Sequence, residues 1–280
     1  MHATRVSLVD MSGNPARPAA FFDLDKTIIA KSSALAFSKP FYNKGLLSKR
    51  SVLRSGFAQF MFALNGADHD KLAAIRDEIS RMVAGWDVGV VHQTINETLH
   101  EIIEPMIFAE AIEIIEMHRA QGLPIVIVSA SGQPMVDPIG VRLGADHVIA
   151  TQMSVLDDKF TGEITFYASG PNKAEAMREL AMREGFDLDA SFAYSDSITD
   201  VPMLESVGHP NVVNPDKALR QRAEDSGWPV LEFERPVELS SLSDYKPSLS
   251  QVAVGGAILG TAAIAGVVGL RLRSRLGRSV

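Results

Sequence analysis

From residue 107 onward, short apolar runs of strand length alternate with segments of helical periodicity, and this alternation limits the chain to few architectures. Residues 107–121 read as a helix that stops at Gly122, and Pro124–Val128 is a β-branched run of strand length. Residues 133–143 are helical, His147–Ala150 is a short strand, and Met153–Phe166 carries Asp157-Asp158 and Thr161-Gly162 in the manner of a hairpin. Asn172–Glu184, Pro202–Val207 and Pro215–Glu224 are helices; Ser191–Tyr194 and Asn211–Val213 are strands between them. Apolar runs without polar alternation are buried on both faces. The expected fold is therefore α/β, a Rossmann-like parallel sheet with helices on both faces.

One further strand lies far upstream. Pro18–Leu24 is an apolar run that ends in acids, which predicts a buried strand leading into a loop. Between it and the alternating region, residues 33–104 have helical periodicity, as in Leu46–Leu64 and Ala73–Val83, with Gly66, Gly85 and Pro105 as breaks. A core built from 18–30 and 106–233, with a helical cap of about four helices inserted at 31–105, follows from this pattern. Residues 1–17 read as a disordered lead without the apolar run of a signal peptide. Residues 234–250 are Ser-rich and read as a linker. Residues 251–271 read as a transmembrane or membrane-embedded helix, since Val252–Leu270 is free of charge and about as long as a bilayer crossing requires. Residues 272–280 complete an Arg-rich tail.

Charge narrows the function classes. The net charge is −7, and the last ten residues hold Arg271, Arg273, Arg275 and Arg278 with no acid. The rest of the chain has 23 basic residues against 34 acidic ones, which argues against nucleic acid as a partner. An anionic substrate would then need local positive charge or a metal. The absence of cysteine excludes disulfides, thiolate catalysis and cysteine-ligated zinc.

Four local patterns carry chemistry. Asp23 and Asp25, in Asp23-Leu24-Asp25-Lys26-Thr27, leave a strand end together, where ligands bind in open α/β sheets. One acid can attack phosphorus while the other handles a proton, although an acidic turn would look the same. Ser129 ends the run Pro124–Val128, where a hydroxyl and the neighbouring N–H of Ala130 can hold phosphate oxygens; serine is also common at strand ends. Lys173 stands at the front of a helix, against the macrodipole, so a nearby anion would suit it; the alternative is a solvated surface lysine. Asp196 and Asp200, in Tyr194-Ser195-Asp196-Ser197-Ile198-Thr199-Asp200, follow another strand as oxygen ligands for a hard cation or as helix-capping residues.

Taken in order, Asp23-x-Asp25-x-Thr27, Ser129, Lys173 and Asp196-x-x-x-Asp200 resemble the four motifs of the haloacid-dehalogenase (HAD) superfamily of phosphatases, across residues 19 to about 231. The cap between the first and second motifs resembles the phosphoserine phosphatase branch, subfamily IB. The resemblance implies that Asp23 is the nucleophile, that Asp25 is the acid and base, and that Ser129, Ala130 and Lys173 bind phosphate. It also implies a Mg²⁺ cofactor held by Asp23, Asp25 and Asp196, with Asp200 binding or orienting that shell. Asp25-Lys26-Thr27 also resembles the phosphorylated motif of ion-pumping ATPases. That reading fails because Ile28 and Ile29 follow, and because the chain offers one membrane span at most. Asp25 with the pair Asp196 and Asp200 likewise favours phosphate chemistry over dehalogenation.

The substrate is less determined. Phosphoserine phosphatases carry a Glu nine residues after the nucleophile that grips the substrate amine, and this sequence has Ser32 there. The expected partner is a phosphorylated small molecule or a lipid headgroup. A regulatory protein on the same fold is the non-enzyme alternative. Gly256-x-x-x-Gly260, Ala262-x-x-x-Gly266 and Ala265-x-x-x-Gly269 would allow close helix packing in lipid, hence a homodimer through that helix. The tail arginines should stay cytoplasmic, and a single crossing would then put the catalytic domain outside, although the N-terminus reads as no export signal. The expectation is a cytoplasmic catalytic domain held at the membrane, with the segment either crossing despite the arginines or entering one leaflet and returning the tail to anionic headgroups.

Overall fold

The computed structural model describes residues 16–47, 77 and 79–235. Leu46–Leu64 and much of Ala73–Val83 fall largely outside the described residues, as do the 1–15 lead, the linker from 236 on, the apolar stretch Val252–Leu270 and the Arg-rich tail. The chain separates into two units, Met1–Leu239 and Ser240–Val280. Among the described residues no helix is long and apolar enough to cross a membrane.

Seven strands form one sheet: β1 (Ala20–Phe22), β2 (Ile125–Gly132), β3 (His147–Leu156), β4 (Lys159–Phe166), β5 (Phe192–Ser195), β6 (His209–Val213) and β7 (Val230–Leu231). Their order is β4-β3-β2-β1-β5-β6-β7, and every pairing is parallel except the β3–β4 hairpin. The strand from Pro18–Leu24, the parallel sheet and its helices are as the sequence implies. Two strands run further than their apolar cores. β2 continues through Ser129 to Gly132, and β3 reaches Leu156 because the hairpin partner β4 supplies hydrogen bonds that a short run alone would lack. Asp157 and Asp158 both have positive φ, the requirement of a two-residue hairpin turn, and short polar side chains tolerate it.

Each strand residue faces alternately to one helix layer or the other. Phe21 joins the core under the helix Pro171–Glu184, with Val126, Val128, Met177, Leu180 and Phe186. Phe22 faces the opposite layer, stacked on Tyr194 with ring centroids 4.5 Å apart and edge-on to His118 of the helix Ala109–Ala120. Because β1 is fully buried on both sides, its C-terminal end is a fixed point from which Asp23 emerges.

The cap begins with the helices Ser33–Ala36 and Ser38–Asn43 and ends with Val88–Ile102, whose N-terminus is capped by Asp87. It returns to the core beside its own departure point. Ala30 N–H donates to Met106 O and Phe108 N–H to Ile28 O, at 2.8 and 2.9 Å. The cap also grips the hairpin: Gly85 N–H donates to Phe160 O, Phe160 N–H to Trp86 O, and Ser80 Oγ–H to Gly162 O. A Cβ on Gly162 would lie 2.5 Å from Ser80 O, so this close approach requires glycine. Beside the cap's return, Arg235 is pinned to the start of the helix Ala109–Ala120. Its Nε donates to Glu110 at 3.0 Å, its guanidinium reaches Glu113, and its carbonyl accepts from Ala109 N–H.

Candidate active site

The carboxyl ends of β1, β2 and β5 bring the singled-out residues together. Asp23 follows β1 directly, and its N–H donates to Tyr194 O of β5 at 2.9 Å. The next residues turn sharply: Lys26 has positive φ, and Leu24 O accepts from Ile28 and Ile29 N–H, both at 3.0 Å. Asp196 leaves β5 in the same way. The loop after it is held by Asp216, whose carboxylate accepts from Ile198 N–H at 2.9 Å and from Leu219 N–H at 2.8 Å.

Lys173 crosses from the first turn of the helix Pro171–Glu184 into this acidic cluster. Its Nζ donates to Asp23 Oδ1 at 2.6 Å and to Asp200 Oδ2 at 2.7 Å, and all three side chains are buried. Asp200 Oδ2 also accepts from Ser195 Oγ–H at 2.7 Å. The anion that a lysine at a helix front calls for is thus present, as two carboxylates. Charge-assisted bonds of this length are strong, and each buried charge here has a partner.

The electrostatics remain unbalanced towards negative. Burial pushes Asp23 up to about 7; Lys173 opposes the rise, and Asp200 adds to it. Burial also holds Asp196 well above the usual carboxylate range, and the charges of Asp23 and Asp200 raise it further. Burial disfavours the charge on Lys173, but Asp200 and Asp23 outweigh it and hold the ammonium above its ordinary value. Three buried acids thus share one ammonium, and a hard cation would relieve their repulsion.

The donor set fits such a cation only in part by side chains. Among the described residues no group of three or more His, Cys, Asp or Glu side chains is arranged to hold an ion. Asp23 Oδ1 and Asp200 Oδ2 are already engaged by Lys173. The free oxygen of Asp23, the Asp196 carboxylate and the Asp25 carbonyl are the oxygen donors left, and magnesium retains several waters beside one or two carboxylates. The residues fit magnesium on that chemistry.

Asp25 is placed differently from its neighbours. It is half-buried, and both its oxygens are engaged: Oδ1 accepts from Ser33 N–H at 2.6 Å and Oδ2 from Ser131 Oγ–H at 2.7 Å. Ser129 is fully buried and its Oγ accepts from Ser131 N–H at 3.1 Å. The β2–β3 register jumps here, Ser129 facing Ala150 and Gly132 facing Thr151, so Ala130 and Ser131 form a bulge. Thr151 Oγ1–H holds it by donating to Ala130 O at 2.7 Å. Thr27 Oγ1 makes a long contact of 3.5 Å to Asp196.

Ser33, Ser131, Ser195 and Asp216 did not stand out in the sequence. Asp216 follows Pro215 at a helix start, which marks a cap but not a partner for the Asp196 loop. Ser131 lies two residues past Ser129, yet only the bulge shows which way it serves. All seven sequence-predicted residues lie at or beside these three strand ends.

Known proteins are similar to this chain. The family model of haloacid dehalogenase-like hydrolases matches residues 20–205. The Mycobacterium tuberculosis protein named "Probable phosphatase Rv3661" is 56% identical over 89% of this chain and 86% of its own length. "Inhibition of morphological differentiation protein" of Streptomyces azureus is 54% identical over 89% of this chain and 92% of its own. "Phosphoserine phosphatase SerB1" of M. tuberculosis is 34% identical, over 86% and 78%. A solved substrate-bound phosphoserine phosphatase complex shares the fold, with a TM-score of 0.58 at 19% identity over 83% of this chain and all of its own.

Proposed function

We propose that this chain, which belongs to the haloacid dehalogenase-like hydrolases, cleaves phosphomonoesters by passing the phosphoryl group through Asp23. That it is a phosphoric monoester hydrolase follows from the family and from relatives named as phosphatases. The aspartyl-phosphate route, the magnesium ion and the substrate class are our reading.

The observation that carries the reading is the placement of Asp23 between Lys173 and the other buried acids. Burial disfavours the charge on Asp23, and the Lys173 ammonium beside it opposes that effect and favours the ionised carboxylate, which is the competent nucleophile. Asp23 attacks phosphorus, the bond to the leaving oxygen breaks, and Asp25 gives that oxygen its proton. Water then loses a proton to Asp25 and attacks the aspartyl-phosphate. The bond from phosphorus to Asp23 breaks, freeing inorganic phosphate. Ser129, the Ala130 N–H and Lys173 bind the phosphate oxygens, and Asp200 orients Lys173. Asp23, the Asp25 carbonyl and Asp196 would hold magnesium, which would supply charge that offsets the repulsion between these acids and a phosphate dianion. Positioning and charge stabilisation of this kind account for most catalysis of phosphoryl transfer.

Phosphate release from soluble and lipid phosphomonoesters, with Mg²⁺ or EDTA, tests the reading. Wild type should act only with the metal, and Asp23→Asn should lose activity by at least about a thousandfold. Equal release by Asp23→Asn would sink the assignment.

A relative named phosphoserine phosphatase favours a small-molecule substrate. Ser32 in place of an amine-binding Glu, and the charge-free stretch Val252–Leu270, favour a lipid headgroup instead, met by a cytoplasmic domain held at the membrane. If a chain ending at residue 245 hydrolyses membrane lipids as well as the full chain does, the stretch does not serve catalysis.

A further inference from the structure

Asp25 must act as an acid in one half of the reaction and as a base in the other, so whatever aims it must tolerate both of its protonation states. The groups around it meet that condition. Oδ2 accepts from Ser131 Oγ–H at 2.7 Å, and Ser131 Oγ in turn accepts from Ser33 Oγ–H at 2.8 Å. Oδ1 accepts from Ser33 N–H at 2.6 Å. A hydroxyl both donates and accepts. With Asp25 ionised, the two hydroxyls point towards it as donors. Each carboxyl oxygen keeps a second lone pair beside these bonds, on which the proton for the leaving oxygen can sit while both bonds persist. A lysine or an arginine in the place of Ser131 would support only the ionised state.

The two serines come from different parts of the molecule. Ser131 lies in the bulge of β2 that Thr151 braces from the neighbouring strand. Ser33 is the first residue of the cap's first helix, where its N–H has no intrahelical partner and takes Asp25 as one. Both serines are buried, at 6% and 0% exposure, so water has little access to their side of these bonds.

We propose that Ser131 and Ser33 are positioning residues for the proton transfers of Asp25, a hydroxyl pair shared between core and cap that makes the aim of Asp25 depend on the seating of the cap. The proposal rests on the acid–base role given to Asp25 above. Neither serine touches phosphorus. Their effect runs through the proton that Asp25 gives to a leaving oxygen and later takes from water.

Leaving groups separate this role from a structural one. A 4-nitrophenolate departs without needing a proton, whereas an alkoxide does not. In Ser131→Ala, kcat/KM for an alkyl phosphate such as glycerol phosphate should fall by about 10- to 100-fold, a part of the about 10²–10⁴-fold that general acid–base catalysis contributes. The value for 4-nitrophenyl phosphate should fall at least about tenfold less. Ser131→Thr, which keeps the hydroxyl, should restore most of the alkyl activity, and Ser33→Ala should shift the ratio in the same direction as Ser131→Ala. Equal losses on both substrates, or no loss on either, in a variant whose thermal midpoint matches wild type would overturn the proposal. Asp25→Asn on the same two substrates tells the two failures apart. If it shows the leaving-group dependence and Ser131→Ala does not, the positioning role fails alone. If Asp25→Asn leaves alkyl hydrolysis intact, the acid–base reading fails with it.

Discussion

Lys173 shows how a residue can be read correctly in kind while its partners stay hidden. Its place at a helix front implied a nearby anion, but which acids, and how many, depended on three segments of chain that the sequence lists far apart. The structure supplies Asp23 and Asp200, at 2.6 and 2.7 Å. Removing one member of a buried ion cluster leaves the others uncompensated and costs about 3–5 kcal/mol. For Asp23 the pH dependence has a definite sign. Its folded value, about 7, lies above its ordinary one, so the stability linked to its protonation is complete in acid and is lost as pH rises through 7. Lys173 opposes that loss. Lys173→Met should therefore destabilise the protein more at pH 8 than at pH 5, where Asp23 takes up a proton, as urea unfolding at the two pH values will show. Ser33 and Ser131 were not legible for a different reason: a serine carries no period and no charge, and only the β2 bulge and the cap's return give these two a common target.

The elements were legible in proportion to how far local pattern decides them. β1, the helix Gln133–Leu143 and the helix Pro171–Glu184 fall within a residue or two of the apolar runs and periodicities that announce them. β2 and β3 outran their expected ends because pairing, not hydrophobicity, extends a strand past the core. The contact between the cap and the β3–β4 hairpin was not legible at all, since it is made by backbone groups of Gly85, Trp86, Phe160 and Gly162 and by the Ser80 hydroxyl. That contact gives Gly162 a specific task. Its φ is +87° and its missing Cβ leaves room for Ser80 O. Gly162→Ala should cost about 1–3 kcal/mol through backbone strain and crowding. Hydrogen exchange should show the amides of Gly85 and Phe160 losing protection while the β1–β2 and β1–β5 amides keep theirs.

The described core is a sheet, parallel but for one hairpin, whose central strands carry the site at their carboxyl ends and pack a buried histidine on one face. His118 packs against Phe22 and meets Tyr194 Oη at 2.8 Å, and burial lowers it to about 4. It is neutral in the fold and becomes charged near 6.5 when unfolded. The unfolded chain therefore binds the extra proton between those values, so stability falls as pH drops from about 6.5 to 4, by about 3 kcal/mol in total. A His118→Phe variant should flatten that part of the pH–stability profile measured by thermal unfolding. An unchanged slope would mean that other groups set it. Fold class and family were readable from strand–helix alternation and four motifs together, because that order of motifs is a property of the entire chain. The substrate is not set by those motifs, and much of the cap that would select it lies outside the described residues.

The claim on which the rest depends is that Asp23 carries the phosphoryl group. Borohydride reduces an acyl phosphate to an alcohol and leaves a free carboxylate alone. Wild-type protein mixed with 4-nitrophenyl phosphate and Mg²⁺, acid-quenched within a turnover, reduced and mapped by peptide mass spectrometry should carry homoserine at position 23, and only when substrate is present. Phosphate release without reduction at Asp23, or with reduction at another acid, would contradict the account.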